Sequence, residues 1–401
     1  MMYIVVRIST QGRYLTATTL ISIALLANSM VDLMTNLTEE VRPFVRSDAR
    51  SVGELFLRTF RSDISALDET TAYVQHHFLD ENFDEGSPSL VYVGSNGDVR
   101  GFIGSLSMSF DSRIGRIRAA HACCHMVRDP PRDALGGARL LRGFLAGAQD
   151  LSYSETASQL SCTLWRRLGG CVLPQYSFTW IRLLSPCTGP LSMLGHYYPW
   201  LRPLETIAPA GDFLLSRIRM LSRRFELPEL PRTVRAQEVS SEEFVNATIA
   251  LSHNYSVHPQ WNIEQVRDRL LEAQESSFRD LFIFKVVTDR KDKVVGGFIL
   301  VCRGRVARVF QILCLDLFAH EVVAILLDTA RARGMTAVYG RGDPITMNAL
   351  AENNCIWLRG GSTVAHSRNP DILHELSSQS AILTGLAGET WSKLVYGLGA
   401  R

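Results

Sequence analysis

RDALGGARLL, residues 132–141, carries an Arg-Asp pair into two adjacent glycines and then into leucines at helical spacing. A Gly-rich turn that opens a helix is a natural anion site. The first-turn amides converge on one spot, and the helix dipole adds partial positive charge there. Glycine lets the backbone approach a phosphate with no Cβ in the way. Leu135 stands where the most permissive turn has a glycine, but its amide still donates if its side chain points into the core. Two readings follow: a pyrophosphate cradle with a weakened first position, or a tight strand-to-helix turn that holds nothing.

The chain around it has 401 residues, enough for two or three domains with their own cores. Charged residues are 20% and hydrophobic ones 46%, the balance of a globular protein. Basic and acidic residues number 42 and 40, so no overall charge directs the chain to nucleic acid or to a membrane surface. The basic run from Arg217 to Arg224 reads as a solvated helix face. The eight cysteines form no C-x-x-C pair and sit among apolar neighbours, which fits a reducing, cytoplasmic setting. Near the start, LISIALLA (20–27) follows Arg7 and Arg13. It is too short to span a bilayer and lacks a clear cleavage site. An over-long start is expected over residues 1–39, with Met30 or Met34 as alternative initiators.

Moving outward, the same order of elements occurs twice. VRPFVRSDARSVGELFLRTF (41–60) is a strand, a cap at Ser47 or Asp48, and a helix with Val52, Leu55, Phe56 and Phe60 on one face. VRAQEVSSEEFVNATIALS (234–252) repeats it, with Ser240 or Ser241 as the cap. Asn96-Gly97 between two β-rich runs signals a hairpin, and 281–301 is its counterpart. Both second strands carry Gly-Phe-Ile. From Val41 to Val234 and from Gly101 to Gly297 the copies are spaced 193 and 196 residues apart. Each half continues with a buried-looking strand (117–127 and 307–317), a helix, a strand and a further helix. A proline-rich connection fills 185–232, leaving domains at 40–184 and 233–401.

This order, with the turn after the long strand, resembles the GNAT superfamily of CoA-dependent N-acyltransferases. In the stretch Val127 to Leu140, Val127, Arg132, Gly137 and Leu140 fit the family fingerprint, while Asp129 and Leu135 depart from it. The resemblance implies an α/β fold: two tandem GNAT-like domains, each a mixed, mostly antiparallel twisted sheet flanked by helices. It implies a cofactor site of Met126 and Val127 main chain, with Arg132, Leu135, Gly136, Gly137, Ala138 and Arg139 at the turn. SQLSCTLWRRLGG (158–170) is similar to the family's later helix through Ser158 and Trp165, which would line the CoA arm. The tyrosine that usually protonates the leaving thiolate falls on Trp165, and an indole cannot do that. Water, Tyr153 or Tyr176 would have to supply the proton.

In HACCHM (121–126), alternation sends His121, Cys123 and His125 to one face and Ala122, Cys124 and Met126 to the other. Along a strand the first group spans about 13 Å, too far for one ion, so no metal is expected. His125 is the candidate general base, with a structural histidine as the alternative. The second half has no glycine at the matching turn (315–323) and places Asp316 and Glu321 there. It reads as a GNAT-like domain without a CoA loop. The expected activity is transfer of an acyl group from acetyl-CoA or another acyl-CoA to a small-molecule or peptide amine, without nucleic acid, membrane or metal. A non-catalytic CoA-binding or regulatory protein is the alternative. Aminoacyl transfer from tRNA would need a broader basic surface than this charge balance supplies. The acceptor loops are expected at 80–89 and 185–210.

Overall fold

The computed structural model describes residues 39–61, 64–81, 84–218, 223–276, 280–378, 380–396 and 398. The over-long start expected at residues 1–39 therefore falls, but for residue 39, outside the described residues. The strands are β1 (Glu40–Pro43), β2 (Leu90–Val93), β3 (Val99–Ser112), β4 (Gly115–Val127), β5 (Leu151–Ala157), β6 (Cys171–Val172), β7 (Phe178–Leu183), β8 (Val234–Glu238), β9 (Val257–Pro259), β10 (Leu281–Asp289), β11 (Val294–Arg303), β12 (Val306–Cys314), β13 (Ala337–Arg341), β14 (Ile356–Arg359) and β15 (Ser362–Ser367). The helices used below are α1 (Ala49–Phe60), α2 (Leu67–Gln75), α3 (Ala134–Leu145), α4 (Gln159–Arg167), α5 (Thr188–Tyr197), α6 (Ala208–Ser216), α7 (Ser241–Ser252), α8 (Ile263–Ser276), α9 (Ala319–Ala332) and, last in this set, α10 (Lys393–Tyr396).

Local chemistry explains most of these elements. α1 buries Val52, Leu55 and Phe56 as its spacing predicts, while Phe60 is exposed. Ser240 caps α7 through a reciprocal capping box with Glu243. Asp48 does not cap α1 with its side chain. Its carboxylate instead accepts from the Val45 amide at 3.1 Å and pairs with Arg42 at 2.7 Å. The Asn96-Gly97 hairpin forms between β2 and β3, with Gly97 at φ +83°.

Two sheets result, both mixed and mostly antiparallel. The first has the order β1-β2-β3-β4-β5-β15-β6, with β9 also paired to β3; the second is β14-β7-β13-β12-β11-β10-β8. Each therefore contains a strand from the other half of the chain. β15 lies against β5 and β6 in the first sheet. β7 lies between β13 and β14 in the second, where Trp180 is buried with Ala307, Val309 and Val338. The sheets of the stretches 40–184 and 233–401 are thus interlocked rather than separate. Arg341 stands at the crossing. Its guanidinium donates to the carbonyls of Gly361 at 2.8 Å, Glu155 at 2.8 Å and Tyr176 at 3.0 Å, which satisfies a nearly buried cation.

In each sheet a parallel pair starts and then parts. β4 and β5 pair only at Ala119–Leu151, Ala120–Ser152 and His121–Tyr153, although β4 runs on to Val127. β12 and β13 pair only over Val306–Ala337, Ala307–Val338 and Arg308–Tyr339. A register shift breaks the β3–β4 ladder between Phe102–Met126 and Gly104–Cys123, with Cys124 at φ +50°. The β11–β12 ladder shifts at the corresponding place. Such bulges bend a strand away from its neighbour. Among the described residues, no helix is long and apolar enough to cross a membrane.

Because β5 needs β15 on its outer edge, residues 39–184 expressed alone are expected to give no folded monomer. Size-exclusion chromatography with circular dichroism checks this; a cooperatively unfolding monomeric fragment would refute it.

Candidate active site in the first strand splay

The site begins at the turn after β4. Asp133 stands at the N-cap of α3, yet its side chain makes no cap bond. The carboxylate is buried and used elsewhere: it accepts from the Asp129 amide at 3.0 Å and pairs with Arg100 at 2.6 Å. The first-turn amides of α3 are thereby left without a side-chain cap, facing outward at the positive end of the helix dipole. That is the arrangement a pyrophosphate needs. The two glycines do different jobs. A Cβ on Gly136 would meet the Tyr92 ring at 2.3 Å, so Gly136 is there for close packing of helix on sheet. A Cβ on Gly137 would meet nothing nearer than 3.4 Å.

The splay opens beside this turn. From Ala122 to Val127 the β4 edge that faces β5 has no ladder partner among the described residues. The gap is entered from the β5 side by the C-terminal stretch 385–391. The Tyr153 hydroxyl donates to the Ala387 carbonyl, and the Glu389 amide donates to Glu155 Oε1 at 3.0 Å. The Thr156 hydroxyl donates to the Glu389 carboxylate. Arg269 of α8 reaches the Leu386 carbonyl at 2.5 Å and stacks on Trp391. Arg61, after α1, secures the far end by donating to the carbonyls of Leu394, Val395 and Leu398. A cation at the end of α10 also suits its dipole.

These contacts gather a buried polar cluster. One ring nitrogen of His121, Cys123 Sγ and a Glu389 carboxylate oxygen lie within 4.8 Å of one another, and all three residues are buried. Both His121 nitrogens lack a hydrogen-bond partner, and burial pushes its pKa down to about 3, with Arg269 adding to the effect. Burial, followed by repulsion from Glu155, raises Glu389 to about 7, against the Thr156 hydroxyl bond. Burial also raises Glu155, while Arg341 opposes that shift. A cavity of about 660 Å³ opens nearby, lined by Asp84, Ser107, Met108, Gln260 and Arg269 among others. Arg269 belongs to both cavity and cluster.

No family model and no curated protein sequence matches the chain. Solved structures do. A probable N-acyltransferase from Enterococcus faecalis superposes with a TM-score of 0.52 at 11% identity, over 82% of this chain and 73% of that one. A GCN5-related N-acetyltransferase from Anabaena variabilis gives 0.53 at 13%, over 83% and 74%. The protein has a tandem GNAT fold. At this identity the likeness speaks to the fold alone.

Within the GNAT fold, the residues expected to hold a cofactor are distributed as follows. Leu135, Gly136, Gly137 and Ala138 form the first turn of α3, and Arg132 is 82% exposed beside it, paired with Asp129 at 3.5 Å. Met126 buries its side chain in the core and leaves its main chain on the splayed strand; Val127 packs towards α3. Others differ. Trp165 is 1% exposed and packed with Phe144, so it is a core residue and not a wall of the CoA arm. Ser158 caps α4 by accepting from the Ser161 amide at 3.2 Å. Arg139 is turned to Glu39 at 3.3 Å.

The bulge overturns the expected alternation. Cys123 and Met126 pack in the core with α1, and His121 lies beside Cys123, whereas His125 faces α3 and bonds the Gly137 carbonyl at 3.0 Å through Nε2. A carbonyl only accepts, so Nε2 carries the proton and holds the ring under the helix. His125 is a support for the turn rather than a base beside an acceptor. Tyr153 and Tyr176 are both buried with raised pKa values, bonded to Ala387 and Ala381. Of the two segments expected to form the acceptor pocket, 80–89 contributes Asp84, Gly86 and Ser87 to the cavity, while Met193 of 185–210 packs on Val306 and Ala337 of the second sheet. In the second half, no glycine cradle precedes α9, and Leu317 is 88% exposed at the turn.

Gly136→Ala is expected to destabilise the protein by about 1–3 kcal/mol, because the new methyl meets an aromatic ring. Gly137→Ala is expected to be neutral or stabilising by up to about 1 kcal/mol. Urea unfolding of the two variants checks the contrast; equal effects would contradict the division of roles.

Proposed function

We propose that the protein is a CoA-dependent N-acyltransferase whose reaction centre is the β4–β5 splay. The observation that carries this reading is the meeting, at one gap, of an uncapped helix N-terminus and a buried carboxylate with a near-neutral pKa. Acetyl-CoA or another acyl-CoA would enter as co-substrate. The α3 amides, with Arg132 at the rim, would hold the pyrophosphate. The main chain of Met126 and Val127, laddered to β3 on one side and open on the side of the splay, would run along the pantetheine and offer a donor to the thioester carbonyl. Fixed donors aimed at a developing oxyanion are usually the largest catalytic term, and shared positioning adds to it.

The acceptor would come through the polar cavity, past Arg269, so a small-molecule or peptide amine fits. A protonated amine must lose a proton before it attacks. Glu389, ionised above about pH 7, would take it, and a base works best with a pKa near the operating pH. Glu389 was not legible as a site residue, since nothing adjacent in sequence marks it. Tyr153, kept neutral by burial, would protonate the leaving thiolate after giving up its bond to the Ala387 carbonyl. The reading uses no metal; stoichiometric zinc in the purified protein would instead assign His121, Cys123 and Glu389 as ligands.

The alternative, a CoA binder without chemistry, is favoured by one observation: residues 385–389 already occupy the splay. Calorimetry with CoA and an amine-acylation screen separate the two. Binding without turnover selects the binder, and no binding removes both.

Arg132→Glu reverses an exposed charge. It is expected to leave the melting temperature unchanged and to weaken CoA binding by about tenfold or more. Unchanged affinity would move the pyrophosphate elsewhere. For Glu389, the activity of the natural chain should rise with pH through about 7. Glu389→Gln should abolish that limb and lower kcat by about 100-fold or more. The stability sign is opposite. A carboxyl raised from 4.5 to about 7 carries no penalty below its unfolded pKa and a growing one as pH rises through both values. The Gln variant should therefore gain up to about 3 kcal/mol at pH 8 relative to pH 4. A pH-independent difference in unfolding free energy would overturn the assignment.

A further inference from the structure

The segment between β7 and β8 is used by neither sheet and by none of the chemistry above. Its helices α5 and α6, with a 3-10 turn at Pro199–Thr206 between them, pack on one another and reach the second sheet through Met193. That contact accounts for the inward side. On the outward side, nine of the twenty large hydrophobic residues that are exposed among the described residues fall between Leu194 and Ile218. Trp200 is 75% exposed, Ile207 68%, Leu214 65% and Tyr197 62%. A concentration of this kind on a short segment marks an interaction surface.

Charge identifies the partner. From Leu194 to Arg224 the sequence holds five arginines and two acids, while the whole chain carries only +2. Both acids are half-buried and engaged inward. Asp212 accepts from the Cys187 and Thr188 amides at 2.6 Å and 3.2 Å, and Glu205 accepts from the Ser192 hydroxyl at 3.1 Å. Arg202, Arg217, Arg223 and Arg224 are exposed, and Arg217 lies over the Phe213 ring at 4.6 Å. Exposed acids resume only at Glu226 and Glu229, beyond the run.

We propose that this face docks the protein on an anionic membrane surface, with Trp200 and its apolar neighbours entering the headgroup layer and the arginines meeting lipid phosphates. Tryptophan and tyrosine favour that layer because their rings are apolar with a polar edge. Stable peripheral binding needs two signals, apolar insertion and positive charge, and both are present. A protein partner would anchor its side chains in pockets; the two cavities of about 660 and 700 Å³ among the described residues are lined by other segments. The earlier expectation of no membrane partner rested on the overall charge, which averages this local excess away.

The test is co-sedimentation of the full chain with phosphatidylcholine vesicles, with and without phosphatidylserine. Expected are binding to the anionic vesicles, weakening with salt, and a blue shift of tryptophan emission that Trp200→Phe removes. Trp200→Ser and the triple variant Arg217→Gln, Arg223→Gln, Arg224→Gln should each reduce the bound fraction by about tenfold. Unchanged thermal unfolding shows that these exposed substitutions leave the fold intact. Three results would overturn the proposal: no binding to anionic vesicles, equal binding to both vesicle types, or a wild-type dimer that Trp200→Ser converts to monomer. The last would assign the face to a second copy of the chain. None of these outcomes bears on CoA binding.

Discussion

Everything in this molecule depends on the exchange of two short strands. β15 closes the first sheet beside β5, and β7 is the spine between β13 and β14 in the second. Arg341, at the end of β13 in the second sheet, joins the crossing: its donors reach the carbonyl of Glu155 in β5 and those of Gly361 and Tyr176, which flank β15 and β7. A buried guanidinium held this way is costly to displace, since every carbonyl it leaves would also lose its partner. The exchange brings β15 and the described chain after it onto the first half, and with them the stretch 385–391 that enters the splay.

The candidate site is an outcome of that route. A β-bulge at Cys124 turns His125 under α3 and leaves His121 and Cys123 on the opposite face. The C-terminal stretch then places Glu389 over them. Two carboxyls, Glu155 and Glu389, share one dry environment, and the charge of Glu155 makes ionisation of Glu389 harder. Arg341 offsets part of the cost at Glu155. The near-neutral carboxyl is thus produced by contributions from β5 and the C-terminal stretch together.

Much of the fold was legible because its signals are local. The duplicated strand–cap–helix, the Asn96-Gly97 hairpin, the Ser240 cap and the small-residue turn at α3 each depend on neighbours a few residues apart. What escaped was long-range or unmarked. Short apolar strands such as FTWIRL and STVAHS read alike whichever sheet they join, since periodicity reports burial and not partner. No glycine flags the bulge at Cys124, so simple alternation put His125 on the wrong face. Trp165 matched the spacing of a cofactor residue but was packed away by Phe144. Glu389 lies over 230 residues from β5 in the chain, and only the tertiary path makes it part of the site.

The interlocked sheets also have a consequence for how the chain is made. During synthesis the first half emerges long before β15, which ends at Ser367. Until then the outer edge of β5 is open, and β7 waits for partners that have not been translated. Domains usually fold as units in order of emergence, but here neither sheet can be completed until β14 and β15 have been translated. The nascent protein must therefore carry an unpaired strand edge from the synthesis of β5 to that of β15, a period in which a chaperone that covers such edges would decide the yield.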